Sequence, residues 1–356
     1  MAIIYFSLEF FYDSSFLLYN NIIERCAKCA NRKAATWLIM LRIGVWFDER
    51  HCTYGGPTLV FLGTLLGFYQ DDPDRIILLN EPGDVNWIMN ICPITNSLAF
   101  RNAVCGPITF NHDHGEMADY TTHPYWRDGR NFVIASDWYR HWICMAMPFK
   151  DPVRSEGRTL TVWGAGVDID FFRPRDDEAY EYDYFVYFKS QNYVDLQNLH
   201  CYLSANYFGL RGYVMIYYHY DPAMLRSVAQ KSRFCFMVDN VETQGLAALE
   251  IMACDCPLFV IDATVFKGKR VQLHGVTSVT CMDATCGMKS SFTTLMEDFP
   301  RFMDALDTYR PREYVCRKYS YKAAARELLS IADTENGLNG LTPQNRNFIP
   351  SRPNNV

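Results

Sequence analysis

Short apolar runs recur along the chain, separated by longer segments of mixed, helix-compatible character. In the first half the runs are WLIMLRIGVW (37–46), RIILLN (75–80), GPITFN (106–111), NFVIA (131–135) and TLTVW, which ends at Trp163. The second half repeats the scheme with YDYFVYF (182–188), YVMIYY (213–218), RFCFMV (233–238), CPLFVI (256–261) and VTSVTC (276–281). Continuous apolar runs of this length read as strands buried on both faces, which is the habit of parallel sheets covered by helices. Helix starts lie between them. Pro57 follows Gly55 and Gly56, Ser136 precedes DWYRHWICMAM, and Asp221–Pro222 precedes AMLRSVAQK; proline suits the first helical position, and Ser or Asp the cap before it.

The stretch GAGVDIDFFRPRDDEAYEYD, proline-bearing and rich in acids, separates the two halves and reads as a linker. The expected fold is therefore α/β, with two Rossmann-like domains facing a central cleft. The boundaries expected are 1–165 for the first domain and 166–318 for the second. A C-terminal helix is expected within 319–337, and 338–356 is expected to form an irregular, polar tail. Residues 1–35 carry no clear pattern. Open α/β sheets bind ligands beyond the carboxyl ends of their strands, which admits dehydrogenases, binding proteins and group transferases alike.

Composition narrows this picture. The chain has 356 residues, 49% hydrophobic and 21% charged, enough for two domains with their own cores and unlike a disordered chain. A formal charge of -6 argues against a broad basic surface, so nucleic acid is not an expected partner and any phosphate site must be local. The start, MAIIYFSLEFFYDSSF, meets Glu9 and Asp13 before any run long enough to span a membrane. No secretory leader and no transmembrane segment are expected, which leaves peripheral membrane contact open. Thirteen scattered cysteines then suit a reduced, cytoplasmic setting. Cys26 and Cys29 have zinc-ligand spacing, with His51 and Cys52 available to complete a set; ordinary packing is the commoner meaning of such a pair.

The segment ETQGLAALEIMACDCP (242–257) concentrates the chemistry. It reads as a loop after RFCFMV, a helix starting near Gly245, and a proline before the next buried strand. Free amides at a helix start seat a phosphate, and a glycine there lets the ligand approach closely. Glu242 precedes that start, while Glu250 lies ~7–8 Å along the axis on the stripe of Leu246. Glu250 sits among Leu249, Ile251, Met252 and Ala253, surroundings in which a carboxylate is rarely left without a task. A nucleotide sugar, with hydroxyls at both ends and phosphates between, matches the layout.

The block resembles the donor-binding segment of retaining GT-B glycosyltransferases of the family 4-like group, with their Glu-x7-Glu motif. Similar matches occur in GAGVDIDFFRP (164–174), FVIASDWYRHW (132–142), YGGP (54–57) and GPITFNHDHGE (106–116), in the family's order over roughly residues 40–265. The resemblance implies that the helix within 319–337 crosses back onto the first domain, and it implies residue roles. Glu242 would contact the transferred sugar and stabilise positive charge at its anomeric carbon. Gly245 and Leu246, with Thr243 and Gln244 beside them, would serve the pyrophosphate, and Glu250 the ribose. Lys189 stands where the family usually has arginine, and neutralises phosphate as a point charge without the bidentate fork. Tyr54, Gly55 and Gly56 would form the acceptor-side loop, and His112 or His114 would line the cleft near the reacting sugar. Metal binding by the HDH triplet is the rival meaning of that pair.

One departure stands out: the family's second basic residue is missing, with Asp195 or nearby polar groups in its place. Two further patterns mislead. Asp168 and Asp170 spell a D-x-D signature, but inside the linker. Gly164 and Gly166 begin a dinucleotide fingerprint that Pro174 interrupts. The expectation is a metal-independent hexosyl- or pentosyltransferase, using a UDP- or GDP-sugar and a glycan or other hydroxyl acceptor, with no cofactor. The YFK and ETQG variants resemble those of compact enzymes from bacteria or large DNA viruses, which would place it in a cytoplasm, a host's if viral. The alternatives are a sugar-nucleotide-binding protein without turnover, or a phosphorylase or epimerase sharing the fold.

Overall fold

The structure, a computed structural model, describes residues 41–44, 56–71, 76–79, 87–88, 104–108, 131–140, 159–175, 179–189, 192–217, 221–238, 241–262, 265–267 and 272–335. Among these, the first half contributes strands β1 (Leu41–Gly44), β2 (Ile76–Leu79), β3 (Trp87–Ile88), β4 (Val104–Ile108), β5 (Asn131–Ile134) and β6 (Thr159–Val162), with helix α1 (Gly56–Asp71). They form one parallel sheet in the order β2-β1-β3-β4-β5-β6.

The second half supplies β7 (Tyr184–Phe188), α2 (Tyr193–Asn206), β8 (Gly212–Ile216), α3 (Pro222–Gln230), β9 (Cys235–Val238), α4 (Leu246–Ala253) and β10 (Leu258–Ile261). A small antiparallel hairpin, β11 (Val265–Lys267) with β12 (Gln272–His274), precedes β13 (Gly287–Ser290). Helices α5 (Leu295–Ala305), α6 (Pro311–Lys318) and α7 (Tyr321–Glu335) follow. The second parallel sheet runs β13-β10-β9-β7-β8. The chain leaves β7 for one edge and returns to β9, so the strand order reverses between β7 and β9. Both halves are Rossmann-like α/β units.

Strand alternation divides the second core cleanly. Phe185, Tyr187, Cys235, Met237, Leu258 and Val260 point to one face and pack with Leu225 of α3 and Leu249, Ile251 and Met252 of α4. Val186, Phe188, Phe236, Val238, Phe259 and Ile261 point to the other, against Leu199 and Leu203 of α2 and Phe299 and Phe302 of α5. The second face is aromatic: Phe259 meets Phe299 and Phe302 with ring centroids 5.3 and 5.2 Å apart, in edge-on geometry. Both faces being apolar explains why these strands lack a polar–apolar alternation. Asp221 caps α3 by accepting from the Met224 amide at 2.8 Å, with Pro222 in the first turn.

One expected strand is corrected. Residues 276–281 form a loop, and the edge position beside β10 belongs to Gly287–Ser290. The β-branched, hydroxyl-rich composition of VTSVTC serves side-chain hydrogen bonds there instead of a ladder. Strand β3 and the β11–β12 hairpin are additions, too short to give a periodic signal.

The connection after β6 carries the chain across and brings it back. Arg312 of α6 binds three carbonyls, of Ala253 at 2.6 Å, Phe172 at 3.0 Å and Ile169 at 3.2 Å. It thereby pins the connecting segment to the carboxyl end of α4, where a cation also favours the helix dipole. Asp168 accepts from the amides of Asp170 and Phe171 at 3.0 and 2.8 Å, so the D-x-D pattern is a local turn. Val167 bonds to the Tyr319 carbonyl at 2.8 Å, and the buried Trp163 indole donates to the Ala324 carbonyl at 2.8 Å. Helix α7 then lies along α1, with Arg326 on Asp71 at 2.7 Å. No helix among the described residues is long and apolar enough to cross a membrane.

The α1–α7 contact has no slack at Gly67, where an added Cβ would stand 2.0 Å from the Tyr321 carbonyl oxygen. Backbone cannot rotate aside as a side chain does. Gly67→Ala is expected to cost about 1–3 kcal/mol, read as a lower urea midpoint at unchanged slope; an unaltered midpoint refutes this packing.

Candidate functional site

Lys189 directly follows β7, and Glu242 lies in the loop after β9, so the two flank the point where the sheet order reverses. This is where open α/β sheets leave a crevice. The Lys189 ammonium pairs with a carboxylate oxygen of Glu242, both side chains about four-fifths shielded. Lys189 also stands over the Tyr217 ring, 4.9 Å from its centroid. The other Glu242 oxygen accepts from the Thr243 amide at 3.0 Å.

Helix α4 begins just beyond. Gly245 at its cap has φ 78° and ψ 42°, a left-handed conformation costly for other residues, and no side chain caps the helix. The first-turn amides thus keep their capacity to bind an anion. Thr243 and Gln244 are buried, and Leu246 packs partly against the core. Among the described residues, the buried Gln244 side-chain nitrogen has no hydrogen-bond partner, and neither has the buried Ser136 hydroxyl. Buried polar atoms left unsatisfied in this way are uncommon and call for a partner.

Glu250, one turn further along α4, is only 6% exposed. It lies close enough to Cys254 and Tyr321 that its charge adds to the effect of burial in raising both groups, the Cys254 thiol to about 12. The structure therefore brings Lys189, Glu242, Thr243, Gln244, Gly245, Leu246 and Glu250 into one neighbourhood. Gly56 opens α1, while Tyr54, Gly55, His112 and His114 lie outside the described residues, as do Cys26, Cys29, His51 and Cys52. Among the described residues no group of three or more His, Cys, Asp or Glu is placed to hold a metal ion. Asp195, in the first turn of α2, accepts from Asn192, which itself caps that helix.

Several residues enter that the motifs did not single out. The Trp138 indole donates to the Glu242 carbonyl at 2.9 Å, joining the carboxyl end of β5 to that of β9. The Glu242 amide donates to the Thr277 carbonyl at 3.0 Å, and the Thr280 hydroxyl to the Gln244 carbonyl at 2.9 Å. Loop 276–281 thus braces loop 242–245 at both ends. A carboxylate, Asp262, follows β10 immediately and holds the bracing loop. An acid closing an all-apolar strand was the available signal.

Cys281 lies below the helix start, its sulfur 3.7 Å from the Gln244 carbonyl and 3.9 Å from that of Gly245. Burial pushes its thiol up to about 12, with the nearby Glu242 charge a smaller contribution in the same direction.

No protein-family model and no curated protein matches the sequence. Several solved structures resemble the chain at low identity. A glycosyltransferase involved in avilamycin A biosynthesis is 10% identical, with 83% of this chain and 98% of that one covered at a TM-score of 0.47. A lipopolysaccharide outer core galactosyltransferase in its apo form is also 10% identical, with 85% and 99% covered at 0.46. Sucrose-phosphate synthase from Thermosynechococcus elongatus is 13% identical at 0.38, and the chain spans 57% of that protein's length.

The state of Cys281 is open to a direct check. Alkylation needs the thiolate, so at pH 8 iodoacetamide is expected to label exposed Cys201 and spare Cys281 in the folded protein, with Cys281 labelling rising only as pH climbs towards 12. Peptide mass spectrometry reads each site, and equal labelling at pH 8 contradicts the burial.

Proposed function

We propose that the chain is a retaining GT-B glycosyltransferase that moves a sugar from a UDP- or GDP-linked donor to an acceptor hydroxyl. One observation carries the reading: an uncapped helix start with a left-handed glycine stands between two acids, beside a lysine at the sheet's reversal point. A diphosphate fits the amides of α4 and draws the Lys189 ammonium, which frees the Glu242 carboxylate to face the sugar. Glu250 takes the ribose hydroxyls, and the unpartnered Gln244 nitrogen gains an acceptor from the ligand.

Turnover then follows from charge placement. The bond from the anomeric carbon to the diphosphate oxygen breaks, and its electron pair leaves with the nucleoside diphosphate. The acceptor oxygen bonds to the same carbon on the same face, and its proton passes to the departing diphosphate. Lys189 and the helix amides stabilise the negative charge that grows, while Glu242 stabilises the positive charge on the sugar. These groups carry the charge without calling on a divalent ion. Tyr54, Gly55 and Gly56 serve the acceptor side, with His112 or His114 near the reacting carbon. The acceptor is a glycan or another hydroxyl compound, and the enzyme works in a cytoplasm.

A second reading, a sugar-nucleotide-binding protein without turnover, is favoured by Asp195 standing in place of a second cation. Release of UDP or GDP from a panel of nucleotide sugars separates the two. Turnover of at least one donor is expected; tight binding without release supports the second reading, and neither binding nor release rejects both. Glu250→Ala is expected to weaken donor binding by about ten- to a hundredfold, measured by calorimetry. Unchanged affinity in that variant removes Glu250 from the ribose.

A further inference from the structure

The loop that braces Glu242 is itself held by a carboxylate and a lysine at the ends of β10 and β13. Asp262 accepts from the Thr277 hydroxyl at 2.9 Å through one oxygen, and from the Ser278 amide at 2.6 Å through the other. Lys289 of β13 stands 3.7 Å from Asp262 and donates to the Thr277 hydroxyl and the Val279 carbonyl, each at 2.6 Å. Thr277 thus receives and gives at its hydroxyl within one ionic cluster. Its carbonyl, fixed by that cluster, is the acceptor for the Glu242 amide at 3.0 Å. The Asp262 amide in turn donates to the Ser290 carbonyl at 2.8 Å, which ties the cluster to the ends of β10 and β13. Two adjacent strand ends therefore set the position of the loop after β9.

We infer that Asp262 is a positioning residue: through the Thr277 hydroxyl it orients the Thr277 carbonyl, and through that carbonyl it sets the Glu242 carboxylate against the ligand. The chain of contacts is short, and every member is directional. Asp262 is largely shielded, its side chain 15% exposed, so its hydrogen bonds act in a medium of low effective dielectric. Lys289 is more open and places its countercharge beside the carboxylate. Losing one acceptor oxygen releases the Ser278 amide or the Thr277 hydroxyl, and the carbonyl turns with them. This inference deepens the transferase reading and rests on it for the effect on turnover.

Three variants test it: Asp262→Asn, Thr277→Val and Thr277→Ser. Hydrogen exchange at the Glu242 amide is the readout that needs no activity. It is expected to quicken by about tenfold or more in Asp262→Asn and Thr277→Val, to stay as in the parent in Thr277→Ser, and to leave the amides of β9 and β10 protected. In donor turnover, the first two variants are expected to lose kcat by about a hundredfold with little change in KM, and Thr277→Ser to restore it. Unchanged exchange at Glu242 in both variants overturns the inference. So does uniform quickening across β9 and β10, which marks a merely structural role. A parent protein that releases no nucleoside diphosphate rejects the transferase reading, and the exchange pattern at Glu242 alone then decides the positioning role.

Discussion

Glu242 is gripped by its backbone from both halves of the molecule. Its amide is bound to Thr277 within the second unit, and its carbonyl to Trp138 from the first. Its carboxylate meets Lys189 from the neighbouring strand end. With both main-chain groups fixed, the side chain has only its own torsions to adjust. A loop residue, ordinarily the mobile part of an α/β unit, is here as determined in position as a strand residue. The left-handed Gly245 three positions on then turns the chain into α4 at a set distance from it.

The rest of the second unit serves that constraint. The two apolar faces of β7, β9 and β10 hold the strand ends in register, so Lys189, Glu242 and Asp262 emerge side by side at the carboxyl edge. Arg312 fastens the far end of α4 to the connecting segment, which fixes the helix at its tail while loop 276–281 supports its head. Cys281 fills the space beneath as a small protonated group, and donates weakly without adding charge next to the amides.

The strands of this unit were legible because their apolar runs are long and interrupted by turn residues. The Asp221–Pro222 cap was legible because its chemistry is local. VTSVTC misled because β-branched composition signals a strand only when its hydroxyls and backbone are free to join a ladder, and here Asp262 and Lys289 claim them. The acids and glycine of 242–250 were visible as a spaced pattern. The brace around them was not, since Trp138, Asp262, Thr277 and Thr280 come from segments up to 142 positions apart whose meeting depends on the whole sheet. The Lys189–Glu242 pairing was equally hidden, because sequence separates by 53 positions what one strand spacing unites.

Helix α7 has a consequence for synthesis on the ribosome. It covers α1, which emerges more than 250 positions earlier. The first unit therefore cannot bury that surface until almost the entire second unit has been made. In the interval the flank of α1 around Gly67 stays open to chaperones or to unwanted partners. That flank of the first unit is closed at the moment α7 docks.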